Sequence, residues 1–85
     1  MTPEELDNLE YYKAILRSPD GRNYQLDDSN DDEQGSFHWL VPLDKDGNRT
    51  GERRKRLRYR DGADWTPAGD RSKINGPIVW RVTTA

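Results

Sequence analysis

The chain has 85 residues, 31% of them hydrophobic and 35% charged, with 14 basic against 16 acidic side chains and a formal net charge of −2. That length allows one small domain, 1–85, and excludes a second. The absence of cysteine excludes a disulfide framework, a thiolate metal site and a cysteine nucleophile. Three Trp, four Tyr and one Phe set the chain apart from charge-rich disordered sequences, so a folded domain with a thin, aromatic core is expected. Met1-Thr2-Pro3-Glu4-Glu5 contains neither a basic segment nor an apolar one, and apolar runs stay near five residues. The expectation is therefore no secretion signal, no membrane span and a cytoplasmic location.

Thr2-Pro3-Glu4-Glu5 reads as a helix start, with a Thr cap, Pro at the first helical position and Glu placed for a capping box. Leu6, Leu9, Tyr12 and Leu16 follow at spacings of three and four, which predicts one helix running through Arg17. A competing reading stops the helix near Leu9 and makes Tyr11 to Arg17 a strand. Ser18-Pro19-Asp20-Gly21-Arg22 is a turn, and Asn23-Tyr24-Gln25-Leu26 alternates as a strand does. Residues 27–35, Asp-Asp-Ser-Asn-Asp-Asp-Glu-Gln-Gly, hold no apolar side chain and predict a solvated, flexible acidic loop.

Phe37, Trp39, Val41 and Leu43 alternate with His38, Leu40 and Pro42, the period of a strand with one buried face. His38 falls on the opposite face and is expected at the surface. Asp44 to Asn48 forms a turn centred on Asp-Gly, and Glu52 to Arg60 returns as a second strand of the same hairpin. A connection containing Trp65 leads to a last strand, Pro77 to Thr83, with Ile78, Trp80 and Val82 on one face. The predicted fold is α+β, an N-terminal helix packed on a small antiparallel sheet of three to five strands. A small curled β-barrel with a short N-terminal helix is the alternative.

The near-neutral total conceals a split. Residues 1–35 carry ten acidic and three basic side chains, a net of −7, whereas residues 36–85 carry eleven basic and six acidic, a net of +5. The positive charge centres on the second strand of the hairpin. Alternation there puts Arg54, Arg56, Arg58 and Arg60 on one face, with Lys55, Leu57 and Tyr59 on the other. Each planar guanidinium can take carboxylate or phosphate oxygens two at a time. Arg49, Arg53 and Lys55 belong to the same partner-binding set, which Arg71, Lys73 and Arg81 could widen. The bland alternative is a solvated strand whose charge guards it against edge pairing.

Asp27, Asp28, Asp31, Asp32 and Glu33 form a secondary acidic contact, either towards a partner or folded over the arginine face of the same chain. Their spacing does not fit a calcium-binding loop, since the sixth position counted from Asp28 is Glu33 where glycine is required. No Gly-rich phosphate loop, His-x-x-x-His or Gly-x-Ser-x-Gly occurs. Neither a metal, a cofactor nor a catalytic residue is predicted, and the chain is not expected to be an enzyme. The expected function is a non-catalytic protein–protein interaction module that docks its charged surface on an acidic protein partner, in the manner of a small phage or mobile-element accessory or inhibitor protein. The alternative is a small nucleic-acid-binding domain using the same arginines, against which the sequence pI near 5.3 argues. Opposite charges on one protomer also allow a head-to-tail homo-oligomer.

Overall fold

A computed structural model describes residues 2–9, 14–71 and 76–81. Helix α1 (Pro3–Asp7) begins as its sequence predicts: the Thr2 side chain accepts a hydrogen bond from the Glu5 backbone N–H at 3.2 Å, and Glu4 and Glu5 occupy the first turn. It ends after five residues, capped at Asn8. The long helix through Arg17 is not formed, because Ala14–Arg17 is strand β1. Ala14, Ile15 and Leu16 are all buried, which is the continuous apolar run of a strand covered on both faces rather than one stripe of a helix. Tyr12, which carried part of the helical spacing, lies outside the described residues, as do Lys73 and Val82.

The remaining strands are β2 (Asn23–Asp32), β3 (Gly35–Leu43), β4 (Lys55–Arg58), β5 (Thr66–Arg71) and β6 (Ile78–Trp80). They form one antiparallel sheet in the order β4-β3-β2-β1-β5-β6. This corrects the expected architecture in three ways. The sheet has six strands rather than three to five, it is open rather than a closed barrel, and α1 rests against the 3-10 turn at Tyr59–Gly62 instead of lying along the sheet. Leu6 carries α1 into the core, where it is 1% exposed and Leu9 packs beside it.

The acidic segment expected as a loop is the outer arm of β2. Residues 29–32 pair with 35–38 of β3, and the chain reverses through Glu33-Gln34 with Gly35 at φ 110°. Between the pairs Leu26↔Leu40 and Ser29↔His38, Asp27 and Asp28 together face Trp39, a one-residue bulge. These polar residues lack strand propensity of their own. They are held by a ladder to β3, whose apolar residues anchor it in the core.

β3 and β4 pair as predicted, but the connection is the long excursion 44–54 rather than a tight turn. The Asp44 carboxylate accepts from the backbone N–H groups of Asp46 and Asn48, both at 2.9 Å, and closes the first part of it. Arg71 Nη2 donates to the Gly47 carbonyl at 2.7 Å and thereby ties that turn to β5.

Two apolar clusters result. The larger joins Leu6, Ala14, Leu16, Tyr24, Leu26, Leu40, Leu57 and Trp65, with the Tyr24 and Trp65 rings 5.2 Å apart. The smaller, on the other face of the sheet, joins Ile15, Leu43 and Ala68 with Ile78 beside them. Leucine rather than aromatic side chains supplies most of the larger cluster, and Trp80 is 37% exposed on edge strand β6. Among the described residues no helix is long and apolar enough to cross a membrane.

Candidate arginine interface

The β3–β4 register sets Trp39 opposite Arg56 and Phe37 opposite Arg58, so rings and guanidiniums share one face of the sheet. The arginines lie over the rings. Arg54 stands 4.4 Å from the Trp39 centroid, Arg56 stands 5.0 Å from Phe37 and 5.1 Å from Trp39, and Arg58 stands 5.6 Å from Phe37. Phe37 and Trp39 themselves meet edge to face at 5.1 Å. Strand alternation therefore generates an ordered ladder, because every second residue of β4 is an arginine and every second residue of this part of β3 is aromatic.

From the far side of β3, the acidic arm closes on the same arginines. Arg54 Nη1 lies 3.3 Å from Asp27 Oδ2, while Asp32 Oδ2 receives Arg58 Nη2 at 2.5 Å and Arg56 Nη1 at 3.3 Å. Arg58 also donates to the Gly35 carbonyl at 3.4 Å. The hydrogen bond from Arg58 holds the Asp32 carboxyl below the ordinary carboxylate range, helped by the Gln34 backbone N–H and the charge of Arg56. The same bond holds Arg58 more firmly protonated. A segregation of charge that runs along the sequence is thus partly cancelled in space.

The other expected site residues distribute around this ladder. Arg60 has left the strand for the 3-10 turn, so three arginines and not four line the face. It remains exposed and, with Arg58, Gln34 and Ser36, borders a shallow depression. A second depression is lined by Asp32, Glu33, Gln34, Arg56 and Arg58. Arg53 is exposed just before β4. Lys55 projects to the opposite face, its Nζ 5.9 Å from the Tyr24 ring and 5.8 Å from the Trp65 ring. Arg49 bridges back to Leu43 and stands near Arg71, whose pKa is lowered by burial and by the Arg49 charge. Asp31 accepts from the Ser36 hydroxyl at 2.5 Å, and Asp28 is exposed in the bulge. Because Asp27 and Asp32 are engaged within the chain, the carboxylates assigned to a head-to-tail neighbour are already partly committed.

β3 departs from its sequence reading on both faces. His38, expected at the surface, is 1% exposed, because its face of β3 is the one that carries Leu40 into the larger cluster and sets Leu57 opposite. Of the stripe expected to be buried, Phe37 and Leu43 are buried whereas Trp39 and Val41 are half-buried, and Phe37 and Trp39 together form the platform under the arginines. The available signal was the matching alternation of aromatics and arginines in the two strands of one hairpin. Among the described residues no three His, Asp or Glu side chains are grouped to hold a metal ion. Comparison with family models, curated proteins and solved structures returns no match.

Proposed function

We propose that the protein is a non-catalytic interaction module that docks the arginine ladder of β4 on an acidic surface of a protein partner, as a small accessory or inhibitor protein would. The observation that carries this reading is the alignment of Arg54, Arg56 and Arg58 over Phe37 and Trp39. Guanidiniums supported from below lose less conformational freedom on binding than free ones, so more of each contact appears as affinity. Arg54 and Arg56 keep side-chain exposures of 46% and 55%, which leaves donors available to a second carboxylate.

A nucleic-acid partner is the less favoured reading. The face offers little for a base to stack on, because Phe37 is only 2% exposed and Trp39 is half-buried beneath Arg54 and Arg56. Capture of partners from a lysate by the wild-type chain and by R54E/R56E/R58E/R60E tests the proposal. The expected result is loss of the captured partner in the variant; retention of every partner overturns it. Titration of labelled single- and double-stranded DNA and RNA at low salt accompanies it, with no complex expected.

A further inference from the structure

β4 is the last strand on its side of the sheet, and among the described residues nothing pairs with its outer edge. Alternate N–H and C=O groups of Lys55–Arg58 therefore face outward, a template for one more strand. The edge is strongly one-signed. Residues 49–60 hold seven basic side chains and a single acid, Glu52, which is paired with Arg22 at 2.6 Å. Such charge repels a basic strand, and an apolar one would desolvate the guanidiniums without compensating them. It selects an acidic one, because opposite charges directly across an antiparallel pair stabilise it and like charges oppose it.

We infer that β4 binds its partner by strand addition: an extended acidic segment of the partner protein joins the edge as a seventh strand. Its every second side chain is a carboxylate set against Arg54, Arg56 and Arg58. This rests on the reading of the arginine ladder as a protein-docking site and specifies the form of the occupant. The chain's own β2 displays the required chemistry from the opposite side, since Asp27 and Asp32 reach the same guanidiniums across β3. An added strand places its carboxylates on the outer side of those planes, where each fork has unused donors. Side chains on the segment's other face fall beside Lys55 and buried Leu57, which suits small or apolar residues. The 3-10 turn that begins at Tyr59 ends the usable edge, limiting the added strand to roughly five residues.

The test uses the full chain and a capped synthetic peptide, Glu-Val-Glu-Val-Glu-Val-Glu, with affinity read by isothermal calorimetry at low salt. Two further peptides carry backbone N-methyl groups, one on the valines and one on the glutamates. Strand addition turns only one of these sets of N–H groups towards β4. One methylated peptide is therefore expected to bind roughly tenfold or more weakly, while the other binds as the parent does. Arg56→Glu, at an exposed position, is expected to abolish binding of the parent. Equal binding by all three peptides, or no binding of the parent, overturns strand addition. If the quadruple arginine variant nevertheless loses its partner in the lysate experiment, the docking reading stands and only the mode of docking falls.

Discussion

The carboxylate of Asp32, at the end of β2, accepts a hydrogen bond from Arg58, at the end of β4, across the strand that separates them. The contact exists because β2, β3 and β4 are consecutive neighbours and the bulge at Asp27 and Asp28 sets the phase of the acidic arm. It joins the most acidic part of the chain to the most basic part. Arg56 shares the same oxygen at 3.3 Å, so Asp32 clamps two rungs of the ladder.

The clamp gives stability a defined pH dependence. The folded-state pKa of Asp32 lies below its ordinary value of 3.8, chiefly because of the hydrogen bond from Arg58. A depressed carboxylate stabilises the fold above its unfolded pKa, and that contribution is lost as pH falls through the folded value. Asp32→Asn is expected to have a lower Tm than wild type at pH 7, with the difference shrinking below about pH 3.8 and vanishing once pH has fallen through the lowered folded-state value. Added salt at pH 7 should narrow the same gap. Thermal denaturation across pH at two salt concentrations checks both statements; a gap independent of pH would show that the substitution acts through packing.

Trp39 supports Arg54 and Arg56 while remaining half-buried. Trp39→Ala is expected to destabilise the fold by about 1–3 kcal/mol, less than a fully buried tryptophan costs. It should also weaken binding of an acidic peptide, because the guanidinium of Arg54 loses its platform. Trp39→Phe keeps a ring and should recover most of both effects. Urea denaturation and peptide titration of the two variants separate loss of fold from loss of the ladder.

The legible parts of the fold are those whose sequence signal and tertiary role coincide. Thr2 and Pro3 mark a helix start by local chemistry, and β3 declares itself by the period-two alternation of Phe37, Trp39, Val41 and Leu43. The helix stop was obscured because Leu6, Leu9 and Leu16 recur at helical spacing although Leu6 and Leu16 meet in one cluster from different elements. β5 was hidden by Pro67 and Gly69. Both are tolerated for reasons visible only in three dimensions: Pro67 sits at the register shift against β1, and a Cβ on Gly69 would stand 2.9 Å from the Val79 carbonyl oxygen. The acidic arm was unreadable as a strand since its partner, not its composition, makes it one. The arginine alternation was legible, whereas its cover by Asp27 and Asp32 depends on strand order, which no local pattern encodes.

Leu26 is fully buried between Leu16, Tyr24 and Leu40 in the larger cluster. Leu26→Ala is expected to cost about 2–5 kcal/mol. For a domain this small, a total stability near the lower end of about 5–15 kcal/mol makes that enough to populate the unfolded state at room temperature. Amide resonances collapsing to the unfolded range would confirm it; a cooperative transition with an unchanged midpoint would mean that the two apolar clusters are energetically separate and this one is dispensable.

The docking of the 44–54 excursion on the sheet is tested by two glycines that share a backbone conformation. Gly21 and Gly47 both have φ of 86°, where an L side chain is strained by about 1–2 kcal/mol. A Cβ on Gly21 would meet nothing within 4 Å, whereas a Cβ on Gly47 would fall 2.2 Å from Ile78 Cδ1. Gly21→Ala therefore reports the backbone cost alone. Gly47→Ala should lose a further ~1–3 kcal/mol as Ile78 is pushed from the smaller cluster. The carbonyl that Arg71 holds at 2.7 Å would shift with it, leaving part of a half-buried guanidinium without its acceptor. Equal loss in the two variants, measured by urea denaturation, would mean that the excursion is not seated on β6 in solution.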